Sequence, residues 1–199
     1  MRKAIFHLKK ADPVLADIIQ RVGRFSMNYD EPAFHSLAEA IVYQQLHGKA
    51  AATIFKRLTD LAGEPLTPEG ILTLSENQLR SVGLSKQKLS YLRDLAEKTK
   101  SGKLDFSRLP DLSDAEVIQA LTQVKGIGVW TAHMFLMFSL RRPDVLPTGD
   151  LGIQTAIRKH YRKRKLPKPV QMEKIAKSWS PYRSVACWYL WRSMDIKTM

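Results

Sequence analysis

The sequence predicts an all-α protein, and three features carry that prediction. Apolar residues recur three and four positions apart along the 199-residue chain, the interval that gathers side chains on one face of a helix. Residues able to cap a helix stand ahead of these runs, with glycine or proline behind them. No alternating β-branched run bounded by Asn-Gly or Asp-Gly is present, so strand hairpins have no signal.

Asp12 before Pro13 reads as an N-cap with proline at the first helical position, and Leu15, Ile18, Ile19 and Val22 then recur until Gly23. This is the first helix the pattern predicts, about a dozen residues from Met1. From Pro32, AFHSLAEAIVYQQLHG predicts a second helix, and KAAATIFKRLTDLAG after Gly48 a third that stops at Gly63 and Pro65. Thr67-Pro68-Glu69 opens another turn. Ser75 with Gln78 forms a capping box whose helix ends at Gly83, and Ser85 caps a longer helix reaching Gly102. Ser113 with Glu116 is a second box, starting a helix that ends in VKGIG, 124–128; the next runs from about Val129 to Leu140, before Pro143. Phe135, Met137 and Phe138 make that helix apolar around most of its circumference, which predicts a path through the centre of the protein. The last helices are expected over Leu151 to about Tyr161, Val170 to Trp179, and Pro181 to about Asp195. The last reads as amphipathic, with Trp188 and Tyr189 in the core.

With 44% hydrophobic residues the chain can bury a core, as one large domain or two small ones. No apolar stretch approaches the ~20 residues needed to span a bilayer. MRKAIFHLKKADP turns polar too early for a signal peptide, so a soluble intracellular protein is expected. The single cysteine, Cys187, lies inside VACWYLW; it reads as a buried structural thiol and excludes an intrachain disulfide, a thiolate zinc site and an iron–sulfur cluster. Lys and Arg outnumber acids 32 to 19, a formal charge of +13 that points to a polyanion. Nucleic acid is the first such partner. An anionic membrane is the second, but its usual sign is one basic amphipathic helix, whereas here basic residues run through the whole chain. RKHYRKRKLPK, 158–168, reads as a solvated basic surface or a nuclear localisation signal.

LTQVKGIGVWTA, 121–132, places two glycines around an apolar residue and starts a helix at once. Glycines allow positive φ and close approach, while a helix N-terminus aims N–H groups and partial positive charge at an anion such as phosphate. A plain corner between helices explains the turn too. Asp150, in VLPTGDLGI, directly precedes a predicted helix. Alone it reads as an N-cap, and the positive helix end favours its anion.

LxxVxGIGxWTA followed, one helix and a loop later, by VLPTGDLGI resembles the helix-hairpin-helix and Gly/Pro-Asp loop of base-excision DNA glycosylases. AIVYQQLHGKAA (40–51), GLSKQKLSYLRDLA (83–96) and WSPYRSVACWYLW (179–191) resemble the 3-methyladenine glycosylases of that superfamily, so the likeness covers about residue 12 to the C-terminus. It implies two helical lobes with a DNA-binding cleft between them. One is residues 33–145, with the helix-hairpin-helix at about 114–140. The other joins 1–32 to 146–199. Longer bacterial members carry an N-terminal β-rich domain, which this sequence is expected to lack.

The resemblance makes Asp150 the catalytic carboxylate. It implies a monovalent cation, Na+ or K+, on the backbone carbonyls of Thr122, Val124 and Gly126, and no cofactor for the chemistry itself. A DNA phosphate would be gripped by the amides of Gly126, Gly128 and Val129, with Lys125 in support. Gln45 matches the wedge that fills the gap left by a flipped nucleotide, and His47 a group reaching into the minor groove. Trp130, Trp191 and, less directly, Tyr43 match the aromatic walls of a base pocket. Met134 stands where the family often has an aromatic ring, which widens that pocket. Relatives that also nick the strand use a lysine just after the hairpin, where this sequence has Trp130.

The activity implied is monofunctional excision of alkylated purines (3-methyladenine, 7-methylguanine, 1,N6-ethenoadenine) from double-stranded DNA, leaving an abasic site, by a DNA-associated monomer. A non-catalytic DNA-structure reader and a mismatch or oxidised-base glycosylase are the rivals. Asp150, Gln45 and Trp191 argue against the first; the missing lysine and cysteines argue against the second. Arg183 can bind phosphate or pin the last helix. Gly83-Leu84-Ser85 with Lys88 can hold a second phosphate or simply join two caps.

Overall fold

The computed structural model describes residues 1–195, and every regular element among them is helical. They divide into two units, one made of Met1–Tyr29 with the chain from Arg141 onward, the other of Asp30–Leu140. The junctions thus fall a few residues before the 32/33 and 145/146 suggested by the sequence.

The first unit contains α1 (Arg2–Ala11), α2 (Pro13–Val22), α10 (Leu151–His160), α11 (Pro169–Ala176, closed by a 3-10 turn at Lys177–Trp179) and α12 (Arg183–Asp195). Helix α12 is its centre and packs on α1, α2 and α10. Every residue from Ser184 to Leu190 is buried, so this helix is apolar on all sides rather than amphipathic as the sequence suggested. Trp188 and Tyr189 are core residues, meeting edge to face at 4.9 Å with Phe25 against Trp188 at 4.6 Å.

Helix α1 was missed by the sequence pattern, because its buried face is only Ala4 and Leu8 among basic residues. Asp12 joins it to α2. Its Oδ1 accepts the Val14 and Leu15 N–H groups at 2.9 and 3.1 Å. Its Oδ2 accepts the Tyr161 hydroxyl at 2.7 Å and the Trp179 indole N–H at 2.8 Å. A buried carboxylate is tolerated there because each oxygen receives two donors.

The second unit runs through α3 (Phe34–Tyr43), α4 (Gly48–Ala62), α5 (Pro68–Thr73), α6 (Glu76–Ser81), α7 (Lys86–Lys100), α8 (Asp114–Thr122) and α9 (Val129–Met134), with a 3-10 turn at Leu109–Asp111 that the sequence did not signal. Both capping boxes form. Ser75 and Gln78 bond reciprocally at 2.9 and 3.2 Å, as do Ser113 and Glu116 at 2.8 and 3.3 Å. Helix α7 buries Leu89, Leu92, Leu95 and Ala96 and packs on α3 and α5.

Helix α9 continues as a π turn over Phe135–Ser139, with the Leu140 N–H on the Phe135 carbonyl at 3.0 Å. Phe135, Leu136 and Met137 are buried in this unit. Helix α3 departs from expectation by stopping at Tyr43 instead of reaching Gly48. The reason is tertiary: Lys88 Nζ donates to the Val42 carbonyl at 2.6 Å, and the chain turns away through Gln45 at φ +56°. No helix among the described residues is long and apolar enough to cross a membrane.

Candidate active site

The glycine turn after α8 is held from three sides. Val124 N–H donates to the Leu121 carbonyl at 3.1 Å and Ile127 N–H to the Val124 carbonyl at 3.0 Å, which curls the chain before Gly128 caps α9. Gly126 adopts φ +80°, and a Cβ there would stand 2.1 Å from Tyr91 Cδ2, so the residue is glycine for conformation and for space. Asp94 Oδ2 accepts the Lys125 N–H at 2.8 Å, and its Oδ1 accepts Lys98 Nζ at 2.6 Å. Burial pushes the Asp94 carboxyl up, but these donors and the charges of Lys98 and Lys125 outweigh it and hold it below the usual carboxylate value.

The N–H groups of Val129 and Trp130 lie in the first turn of α9, at the positive end of the helix. Val129 and Trp130 are half exposed, and Lys125 Nζ stands 3.9 Å from Asp94 Oδ1 on a largely exposed side chain.

Of the three carbonyls expected to hold a cation, those of Thr122, Val124 and Gly126, two accept hydrogen bonds: that of Val124 from the Ile127 N–H at 3.0 Å and that of Gly126 from Gln44 Nε2 at 2.9 Å. A carbonyl oxygen has two lone pairs, so each of these two keeps one for a cation beside its hydrogen bond. Among the described residues no group of three or more His, Cys, Asp or Glu is placed to hold a metal.

Beside the turn the second unit contains a cavity of about 620 Å³. It gathers Tyr43, Gln45, Gly126 and Trp130 from the sequence reading, and Met134 borders it as well. Gln44, Gln87, Lys88 and Tyr91 line it too, and none of these was anticipated there. The signal for the α7 group was available, since Gln87, Lys88 and Tyr91 share one helical face. Lys88 is turned inward onto Val42, and burial lowers its ammonium pKa. The Gly83–Ser85 segment is accordingly a helix end joined to an N-cap, with Ser85 Oγ accepting the Lys88 N–H at 3.2 Å. His47 is exposed at the start of α4 and makes no side-chain cap bond.

In the first unit the loop before α10 is folded by its own turns. Thr148 N–H reaches the Leu146 carbonyl at 2.9 Å and Asp150 N–H the Pro147 carbonyl at 3.0 Å. Asp150 is only 7% exposed and caps α10. Its Oδ1 accepts the Ile153 N–H at 2.7 Å and the Trp191 indole N–H at 2.9 Å. The structure thus brings Asp150 and Trp191 together by a bond the sequence reading did not foresee. Gly152 makes it possible: a Cβ there would lie 3.0 Å from Trp191 Cδ1 and 3.1 Å from Asp150 Oδ1.

Arg183 takes the structural option left open by the sequence. Its Nε and Nη2 each donate to Asp144 at 2.8 Å, tying the start of α12 to the loop that leads to Asp150. Cys187 is buried, and burial together with the Asp150 charge pushes its thiol up. A preorganised carboxylate in a water-poor setting stabilises positive charge that develops beside it.

The family model for HhH-GPD superfamily base excision DNA repair proteins matches residues 38–181. The chain belongs to the HhH-GPD superfamily. Among curated members, DNA-3-methyladenine glycosylase 1 of Schizosaccharomyces pombe is 38% identical over 98% of this chain and 89% of its own length. The putative DNA-3-methyladenine glycosylase YfjP of Bacillus subtilis is 34% identical over 98% of this chain and 70% of its own. Among solved structures of the superfamily, the S. pombe 3-methyladenine DNA glycosylase Mag1 in complex with abasic DNA superposes with a TM-score of 0.85 at 37% identity, covering 98% of this chain and 97% of that one. The DNA-3-methyladenine glycosidase of Bacillus halodurans superposes equally well, TM-score 0.85 at 39% identity, over 94% and 87% of the two chains.

Proposed function

We propose that this HhH-GPD protein is a monofunctional DNA glycosylase that turns an alkylated purine out of double-stranded DNA and hydrolyses its N-glycosidic bond, leaving an abasic site. The observation that carries the reading is the buried Asp150 carboxylate, held at the head of α10 by the Ile153 N–H and the Trp191 indole. Breaking the bond gives the deoxyribose oxocarbenium character, which a fixed carboxylate stabilises, and the same group orients the attacking water. An alkylated purine such as 3-methyladenine is already cationic, so its departure asks little of a general acid. The names of the relatives and the abasic DNA bound to Mag1 support this choice of substrate and product.

In this reading Tyr43 and Trp130 supply stacking surface for the base in the second unit, where each stacked ring contributes roughly 1–3 kcal/mol. Trp191 adds aromatic surface and orients Asp150. Gln45 fills the gap in the stack and His47 enters the minor groove. The amides of Gly126, Gly128 and Val129 grip a phosphate, with Lys125 beside them and a monovalent cation on the carbonyls of Thr122, Val124 and Gly126.

Purified protein is incubated with duplexes carrying 3-methyladenine, 7-methylguanine or 1,N6-ethenoadenine, and released base is measured. Release that is abolished in Asp150→Asn is expected; undiminished release in that variant refutes the assignment. Borohydride is expected to trap no covalent adduct, and efficient trapping by the wild type overturns the monofunctional reading.

A further inference from the structure

We propose that Gln44 is a positioning residue that ties the wedge loop to the phosphate-gripping turn, so that a strand seated on the turn sets the pose of Gln45. This rests on the roles given above to Gln45 and to the turn at 126–129.

Helix α3 ends abruptly because one of its terminal carbonyls, that of Val42, is taken by Lys88 Nζ at 2.6 Å. The chain can then reverse at once, through Gln44 at φ −51° and ψ 131° and Gln45 at φ +56°. The left-handed region is rarely occupied by a residue with a side chain, and such a conformation persists only where its surroundings impose it. The bond from Gln44 Nε2 to the Gly126 carbonyl, at 2.9 Å and across 82 residues of sequence, supplies that constraint immediately before Gln45.

The other end of the bond is the stiffer one. Gly126 is held at φ +80° with the Tyr91 ring packed against it, and the neighbouring Lys125 N–H is fixed by Asp94 Oδ2 at 2.8 Å. Position is therefore transmitted from the turn, through the Gln44 amide, to the exposed Gln45. Both glutamines and Gly126 border the same cavity, so a wedge set in this way stands at the edge of the space where the base is received.

A duplex containing a tetrahydrofuran abasic analogue next to 2-aminopurine reports filling of the gap by fluorescence, and single-turnover release of 3-methyladenine reports catalysis. Gln44→Met keeps the side-chain length and removes the donor. The expected result is a fluorescence change reduced from the wild-type one and release slowed about five- to tenfold, the worth of one hydrogen bond, with affinity for undamaged duplex held within about twofold.

In a Gln45→Ala background the same substitution is expected to cost nothing further, because Gln44 acts through Gln45. Equal losses in both backgrounds, or wild-type fluorescence and rate in Gln44→Met, overturn the proposal. If Gln44→Met does not fold, the cycle is run with Gln44→Glu, which turns an acceptor toward the Gly126 carbonyl. A wild type that fills the gap but releases no base refutes the glycosylase reading instead, and the fluorescence comparison still judges Gln44.

Discussion

An alanine at position 152 would put its Cβ 3.0 Å from Trp191 Cδ1, 3.1 Å from Asp150 Oδ1 and 3.2 Å from Trp191 Nε1. Each contact is a few tenths of an ångström inside ordinary van der Waals distance, so one neighbour must give. Asp150 is pinned by the Ile153 N–H at 2.7 Å and Trp191 is only half-buried, so the added Cβ presses on the Trp191 ring and lengthens its 2.9 Å bond to Asp150. Two effects on stability oppose each other. Alanine gains about 1 kcal/mol over glycine in a helix, and overpacking costs roughly 1–3 kcal/mol. Net destabilisation is therefore about 0–2 kcal/mol.

Catalysis has no such compensation. A hydrogen bond to a charged acceptor is worth about 1.5–3 kcal/mol, so weakening it and displacing the carboxylate slows base release by about ten- to a hundredfold. Urea unfolding and single-turnover release on the same Gly152→Ala preparation test this. A variant that releases base within about twofold of the wild-type rate refutes the claim that the close seat of Trp191 orients Asp150.

Gly126→Ala meets both a backbone at φ +80° and Tyr91 Cδ2 at 2.1 Å; a loss of at least about 2 kcal/mol in urea unfolding, with weakened duplex binding, is expected. An unchanged unfolding midpoint would contradict it. Asp12→Ala removes the N-cap of α2 and strands the Tyr161 hydroxyl and the Trp179 indole N–H in the interior. It should cost about 3–5 kcal/mol in the same measurement, and a loss under about 1 kcal/mol would show that the network is dispensable.

Asp94 is held below the ordinary carboxylate value by Lys98 and the Lys125 N–H. The unfolded chain takes up that proton first as pH falls. The stability Asp94 contributes is thus complete above about pH 5 and is lost as pH drops through the depressed folded value. Asp94→Asn should be less stable than wild type at neutral pH, with the gap closing toward acid; a gap independent of pH would rule this out.

Helix starts were legible wherever a nearby side chain closes them. Asp12, Ser75 with Gln78, Ser85 and Ser113 with Glu116 all cap the helices the sequence assigned to them. An end decided by a distant partner was not. Helix α3 stops at Tyr43 on account of Lys88, 46 residues beyond Val42, while the segment that follows, Gln44 to His47, reads as helix by composition. Helix α1 escaped notice because its buried face is too narrow to make a pattern.

By itself the sequence determined the all-α class, the glycine turn opening α9 and the place of Asp150 at the head of α10, because caps, glycines and apolar periods act over a few residues. Only the tertiary structure decided that Trp191 holds Asp150, that Tyr91 and Asp94 brace the turn, and that the Gly126 carbonyl accepts the Gln44 amide. These bonds join residues 31 to 82 positions apart. A hydrogen bond between residues far apart along the chain leaves no spacing in the sequence, and only packing selects which partners meet.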